Sequence, residues 1–188
     1  MKFSDQSNLE ELDLSLNNLS DLNKEFFSNL RKLKVLKLKE TYLQEYKFIL
    51  NQFSQELKEI DLCGNEKFAD ESLVLNKLTN IETLILSNTS LEVFDNDVYT
   101  FLNLKYLDVS SNKIKSIENL CDKISFLNLS YNSFEYFLNE DLELKDFLLN
   151  KLNLKVIDLT KSLSTLISDK IFMLNKILLF PYDTIPLI

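Results

Sequence analysis

Residues 104–114 read Leu-Lys-Tyr-Leu-Asp-Val-Ser-Ser-Asn-Lys-Ile, which fits the template LxxLxLxxNxL with an apolar residue at every L position. Within it, Leu107-Asp108-Val109 alternates apolar, polar and apolar residues, and this period of two predicts a strand with one buried and one wet face. Asn112 follows where the chain must bend, and we expect its amide to bind backbone groups of neighbouring turns. One such unit cannot bury its own apolar face, whereas stacked copies can.

The template recurs along most of the chain. Seven units begin at residues 9, 33, 57, 81, 104, 124 and 154, so successive units are 24, 24, 24, 23, 20 and 30 residues apart. A helix over 139–150 would explain the longest step, and a short helical turn over 23–30 would bury Phe27 and Leu30. Residues 174–188 are expected to form an eighth unit or a C-terminal cap. We therefore predict a single domain over residues 1–188.

With seven matches, the chain resembles the leucine-rich repeat proteins over nearly its whole length. The resemblance implies an α/β solenoid curved into a right-handed horseshoe, with a parallel β-sheet on the concave side and loops or short helices on the convex side. The 24-residue units are similar to the typical repeats of receptors, and the 20-residue unit resembles those of the phosphatase-1 regulatory subunit. Three units carry a hydroxyl residue where the family has asparagine, which implies a weaker side-chain ladder there: Thr41, Thr89 and Ser162.

The absence or scarcity of certain residue types excludes several kinds of catalytic and binding site. The chain has no histidine and a single glycine, Gly64, so histidine-dependent nucleophilic sites, the common zinc sites and Gly-rich phosphate loops are excluded. We predict a non-catalytic protein with no metal site and no cofactor. The rival interpretation, an enzyme that uses carboxylates, serine or lysine, requires two titratable groups in one pocket. The scarcity of alanine and arginine hints at an AT-rich genome.

Charge, hydropathy and cysteine usage bear on partners and location. A net charge of −8 argues against nucleic acid and favours a basic or neutral partner. No apolar run approaches the ~18–20 residues of a membrane span. The start at Met1 lacks the apolar segment of a secretory signal, which predicts a cytoplasmic location, whereas natural residues before Met1 would leave an extracellular one open. Cys63 and Cys121 lie about two strand spacings apart, ~10 Å, so we predict two free thiols and a reducing compartment.

The outward strand positions form columns across the predicted sheet. In the first three units these columns carry carboxylates interrupted by Lys37 and Lys39, and we expect solvated salt bridges or a docking site for a basic segment: Glu11, Asp13, Glu59 and Asp61. The later units carry apolar side chains with polar neighbours, a combination typical of partner sites. We predict that a protein partner binds Ile85, Tyr106, Asp108, Phe126, Asn128, Tyr131, Val156 and Asp158. The alternative is that these side chains pack across neighbouring strands and only stabilise the sheet.

The pattern therefore predicts a monomeric, non-catalytic interaction module that binds a protein partner on its concave face. Two alternatives stay open at this point. One is a regulatory subunit of a protein phosphatase, and the other is the recognition fragment of a larger receptor.

Overall fold

The computed structural model of the protein describes residues 8–43, 46–53, 56–95, 101–115, 117–118, 120–134 and 153–162. The helix predicted over 139–150 and the eighth unit or cap predicted over 174–188 lie outside the described residues. The prediction of one domain over 1–188 therefore stays a prediction for those segments.

Short strands recur once or twice in each unit. In the described part of the chain they are β1 (Glu11–Asp13), β2 (Val35–Lys37), β3 (Glu59–Asp61), β4 (Thr83–Ile85), β5 (Phe94–Asp95), β6 (Tyr106–Asp108), β7 (Ile117–Glu118), β8 (Phe126–Asn128) and β9 (Val156–Asp158). Seven of them form one parallel sheet in the order β1-β2-β3-β4-β6-β8-β9, and β5 pairs with β7 in a second, two-stranded sheet.

The register of the large sheet follows the sequence template. Equivalent template positions face each other in every pair, as Leu36 does with Ile60 and Leu84 with Leu107. All pairs are parallel, and every strand lies beside the strand of the next unit. The predicted parallel solenoid is thereby confirmed.

The inward template positions form one continuous apolar core. Leu36, Leu84 and Leu107 are fully buried, and each such side chain contributes about 1.5–3 kcal/mol relative to exposure. The template leucines of the first unit, of which Leu12 is an example, are only partly buried against this core. Ile157 in the seventh unit is likewise partly buried. Burial therefore falls at both ends of the described stack.

The convex side carries short elements of several kinds. A 3-10 helix over Lys24–Phe27 brings Phe27 into the core and Leu30 follows it, as predicted. Helix α1 spans Tyr46–Leu50, and a longer 3-10 helix spans Glu66–Lys77. The sequence template did not predict the pairing of β5 with β7, which adds a small sheet on this side.

Asparagine amides join neighbouring units behind the sheet. Asn112 Nδ2 lies 2.9 Å from the Val109 carbonyl oxygen of its own unit and 2.7 Å from the Leu86 carbonyl oxygen of the preceding unit. Asn65, two repeats before Asn112, makes the two equivalent hydrogen bonds. Asn132 donates to the Val109 carbonyl of the fifth unit. The expected role of Asn112 is confirmed, since buried carbonyl groups that the strands leave free are satisfied by side chains.

The turn that leaves each main strand has a left-handed residue at the same template position. The φ angles there lie between 50° and 74° in all seven units: Leu16, Glu40, Gly64, Asn88, Ser111, Tyr131 and Lys161. This conformation costs a non-glycine residue roughly 1–2 kcal/mol, so the stack must hold it in place. The hydrogen bond from the Ser111 N–H to the Ser130 carbonyl, 2.9 Å, shows how the next unit does so.

Candidate functional site: the concave sheet

The centre of the later part of the concave sheet is a pair of stacked rings. The register of β6 and β8 places Tyr106 directly beside Phe126. Their ring centroids are 4.1 Å apart and the ring planes differ by 1°. Both side chains are half-buried, and Val156 continues the same column on β9. Three predicted site residues on three successive strands thus form one contiguous apolar surface.

Two further predicted residues lie beside this column. Ile85 is half-buried on β4 and faces Asp108 in the register with β6. Tyr131 lies beyond the end of β8 and is 51% exposed. The ammonium nitrogen of Lys161 stands 5.4 Å from the Tyr131 ring centroid, within the range of a cation–π interaction. The aromatic surface therefore extends from the sheet to the edge where the strands end.

The polar side chains of the predicted site also accept hydrogen bonds from the backbone. A side-chain oxygen of Asp108 accepts a hydrogen bond from the backbone N–H two residues later, at 2.9 Å. Asn128 and Asp158 do the same at 3.1 Å and 2.9 Å, and Asn128 Nδ2 also donates to Asp108, at 3.1 Å. These hydrogen bonds hold the backbone where each strand ends, just before the left-handed turn. The sequence signal for this role was the recurrence of Asp or Asn at this position, as Asp13 and Asp61 also show.

Charges in the first units differ from the predicted pattern. Among the residues that the structure describes, no ion pair within 4 Å joins Lys37 or Lys39 to the strand carboxylates. Apart from Lys39 and Glu40, which are 3.9 Å apart, the ion pairs among the described residues lie one template column earlier. Lys34 pairs with Glu10 at 2.8 Å, while Lys58 and Lys105 both pair with Glu82, at 3.2 Å and 2.5 Å. Sequence reasoning missed this column because it considered only positions inside the strands.

The surroundings shift the pKa values of two strand carboxylates in opposite directions. Burial raises the pKa of Asp61, although the Cys63 N–H and the charges of Lys39 and Lys37 oppose the shift. Hydrogen bonds from the Ser15 hydroxyl and N–H lower the pKa of Asp13. Asp61 on the third strand has thus lost more solvent than Asp13 on the first strand.

Both cysteines are free thiols, as predicted. Cys63 is half-buried at the end of β3, where burial raises the pKa of its thiol above the ordinary value. Cys121 is also half-buried and packs against the apolar core, where a free cysteine behaves as a small hydrophobic residue.

No group of three or more cysteine, aspartate or glutamate side chains that could hold a metal ion occurs among the described residues. None of the helices within these residues has the length and apolar character that crossing a bilayer demands.

Comparisons with known proteins agree with this geometry. A family model described as "Leucine rich repeat" matches residues 3–47, and a second model of the same description matches residues 103–122. A solved structure of a leucine-rich repeat protein from Leptospira interrogans is similar over 83% of this chain and 38% of its own, with 26% identity and a TM-score of 0.58. This chain is a leucine-rich repeat protein.

Curated relatives share the repeats within much longer chains. The PH domain leucine-rich repeat protein phosphatase 1 of Rattus norvegicus is 30% identical over 139 residues, which are 72% of this chain and 8% of that protein. The adenylate cyclase of Schizosaccharomyces pombe is 31% identical over 149 residues, and Toll-like receptor 3 of Boselaphus tragocamelus is 30% identical over 125. This leucine-rich repeat chain spans 8–14% of the length of these relatives.

Proposed function

We propose that this leucine-rich repeat protein is a non-catalytic interaction module that binds a protein partner on its concave sheet. The partner surface consists of Ile85, Tyr106, Asp108, Phe126, Asn128, Tyr131, Val156 and Asp158. The observation that carries the proposal is the Tyr106–Phe126 stack on the open face of the sheet. Aromatic side chains held rigidly by their neighbours are frequent anchors of protein interfaces because they lose little conformational freedom on binding.

The shape of the sheet supports the same proposal. Seven strands at ~4.8 Å spacing span roughly 30 Å, which is enough for a folded domain or a helix. Family membership agrees, since leucine-rich repeat domains commonly serve as interaction modules. We further propose that the protein acts as a monomer and resides in the cytoplasm, where free Cys63 and Cys121 would stay reduced.

A second candidate function comes from the curated relatives. Because the similar segments are small parts of proteins named as a phosphatase and a receptor, the chain could serve as a phosphatase regulatory subunit or as the recognition fragment of a larger receptor. In both cases the concave sheet would still supply the binding surface. A regulatory subunit would capture a phosphatase as its partner, whereas a receptor fragment would capture a different protein.

Affinity capture with matched variants tests the proposal. The double variant Tyr106→Ala/Phe126→Ala removes both stacked rings, and Leu102→Ala removes an apolar side chain that is 68% exposed outside the concave sheet. We expect the native chain and the Leu102 variant to retain the same partner from a lysate of the source cells. The double variant should lose that partner while keeping its melting temperature within a few degrees. Retained capture together with a large loss of melting temperature would favour the sheet-stabilising alternative.

A further inference from the structure

Strand β4 lies in the sheet between two strands that carry carboxylates on the concave face. Its outward residues, Thr83 and Ile85, bear no charge, and Thr83 is short. The register places acidic residues of β3 on one side of them and an aromatic and an acidic residue of β6 on the other. We call the space above β4 the β4 groove, and its walls are Glu59, Asp61, Tyr106 and Asp108. The backbones of the two walls are two strand spacings apart, roughly 9–10 Å.

The aromatic wall of the groove presents a ring face. Phe126 and Thr83 lie on opposite sides of Tyr106 in the sheet, and Phe126 covers one face of the Tyr106 ring at 4.1 Å. The other face therefore turns toward Thr83, which has a short side chain. An aromatic face carries negative quadrupole density and attracts cations, above all a planar guanidinium.

The acidic walls of the groove make no close ion pair with the described residues, although the charges of Lys37 and Lys39 are near enough to lower the pKa of Asp61. Within the described residues, no ion pair within 4 Å reaches Glu59, Asp61 or Asp108. Burial raises the pKa of Asp61, and burial together with the charges of Asp108 and Asp61 raises the pKa of Tyr106. The charges of Asp61 and Asp108 thus act on the Tyr106 hydroxyl, and Asp61 is partly removed from water, where a matching cation gains most.

We propose that the β4 groove receives an arginine side chain from a basic segment of the protein partner. The inference rests on the proposed function, because it names the chemistry that the same sheet would recognise. A guanidinium can stack on the free face of Tyr106 while its N–H groups donate to Glu59 or Asp61. The net charge of −8 favours the approach of such a segment over a neutral or acidic one.

Binding of a dye-labelled hexa-arginine peptide, followed by fluorescence anisotropy at fixed ionic strength, tests the groove. The groove variant Glu59→Gln/Asp61→Asn removes two charges with little change of shape. The control variant Asp21→Asn/Glu92→Gln removes the same number from exposed positions outside the large sheet. We expect the groove variant to weaken binding about tenfold and the control variant less than about twofold, since only close charge pairs contribute strongly.

A second variant keeps the test decisive if the groove variant does not fold. Thr83→Lys places a cation inside the groove without removing any wall residue, and we expect it to weaken hexa-arginine binding as strongly. Native protein should also bind hexa-lysine more weakly than hexa-arginine, because an ammonium cannot stack on Tyr106. Equal weakening by the groove and control variants, or no measurable hexa-arginine binding, would overturn the inference.

The captured partner separates failure of the groove from failure of the proposed function. A partner that needs Tyr106 and Phe126 but binds the groove variant normally would reject the groove and leave the concave binding surface standing. A partner that binds all these variants equally would reject both.

Discussion

The backbone N–H of Thr89 donates a hydrogen bond to the side-chain oxygen of Asn112, 3.0 Å away in the next repeat. The same oxygen accepts the N–H of Leu91 at 2.9 Å, while the Asn112 amide donates back to the Leu86 carbonyl. The Thr89 hydroxyl also lies 2.8 Å from that carbonyl oxygen. One asparagine therefore satisfies buried backbone groups of two units, so the unit with threonine does not need an asparagine of its own.

The second and fourth units depart from the template together. Both lack an aspartate or asparagine inside the strand, and both have threonine where the other early units have asparagine. Both also have a second left-handed residue directly after that threonine, Tyr42 in one case and Ser90 in the other. In each case the following unit supplies the shared asparagine, Asn65 or Asn112. The expected local weakening of the ladder is offset by this sharing.

Because Asn112 serves two units, we expect substitution of Asn112 to destabilise the protein more than substitution of Thr89 does. Asn112→Ala should lower the free energy of unfolding by about 3 kcal/mol, because it leaves several buried backbone groups without partners. Thr89→Val should cost only about 1 kcal/mol, since the backbone N–H still binds Asn112. Urea denaturation measures both values. Equal costs, or a larger cost for the threonine, would show that the asparagine is not shared in this way.

The recurring left-handed turn predicts opposite effects of two small substitutions. Gly64 has φ +74°, and a Cβ there would lie 2.5 Å from Glu40 Cγ, so Gly64→Ala should destabilise the protein by about 1–2 kcal/mol. Ser111 has φ 55° and an exposed side chain, so Ser111→Gly should stabilise it by up to about 1 kcal/mol. Thermal melting compares them. A destabilising Ser111→Gly would mean that the turn is not strained at that unit.

The pKa of Asp61 predicts how stability depends on pH. Because its pKa is raised in the folded state, its contribution to stability falls as the pH rises from the unfolded pKa through the folded pKa. Asp61→Asn should therefore raise the melting temperature at neutral pH, and the gain should vanish near or below the unperturbed pKa of 3.8. The asparagine oxygen can still accept the Cys63 N–H.

Asp13→Asn is the matched control for this pH dependence. Hydrogen bonds from Ser15 lower the pKa of Asp13, so its charge stabilises the fold above the unfolded pKa, and the contribution disappears as the pH falls through the folded pKa. The control should lower the melting temperature at neutral pH and not at acidic pH. Shifts of the same sign for both variants would contradict the assigned environments.

The stacked rings predict a modest mutual stabilisation. A double-mutant cycle with Tyr106→Leu and Phe126→Leu should give a coupling energy of about 0.5–1.5 kcal/mol, the range found for aromatic pairs. Urea denaturation of the native chain, the two single variants and the double variant supplies the four values. A coupling indistinguishable from zero would mean that the rings do not stack in solution.

The sequence could predict those features that depend on alternation and spacing. Strand positions and chain-order pairing follow from the template, because only stacking buries the apolar face of each unit. The inward residue of the third unit could not be assigned from the template alone. Phe68 is buried and Lys67 is exposed, so the loop shifts by one residue to bring an apolar side chain inside.

Other features depend on contacts that one-dimensional spacing does not contain. The pairing of β5 with β7 involves strands of two residues, too short to show a period. The column that contains Tyr106 and Phe126 was predictable, but the parallel stacking of the rings depends on side-chain conformations. The backbone role of Asp108 was missed because an outward carboxylate on a strand was taken only as a partner contact.

The most direct test of the concave binding surface is the dissociation constant of the purified partner, measured by isothermal titration calorimetry. The native chain and the Leu102→Ala control should bind equally, and Tyr106→Ala/Phe126→Ala should bind at least about a hundredfold more weakly, as expected when two interface anchors are removed. A double variant that folds normally and binds the partner with unchanged affinity would contradict the account.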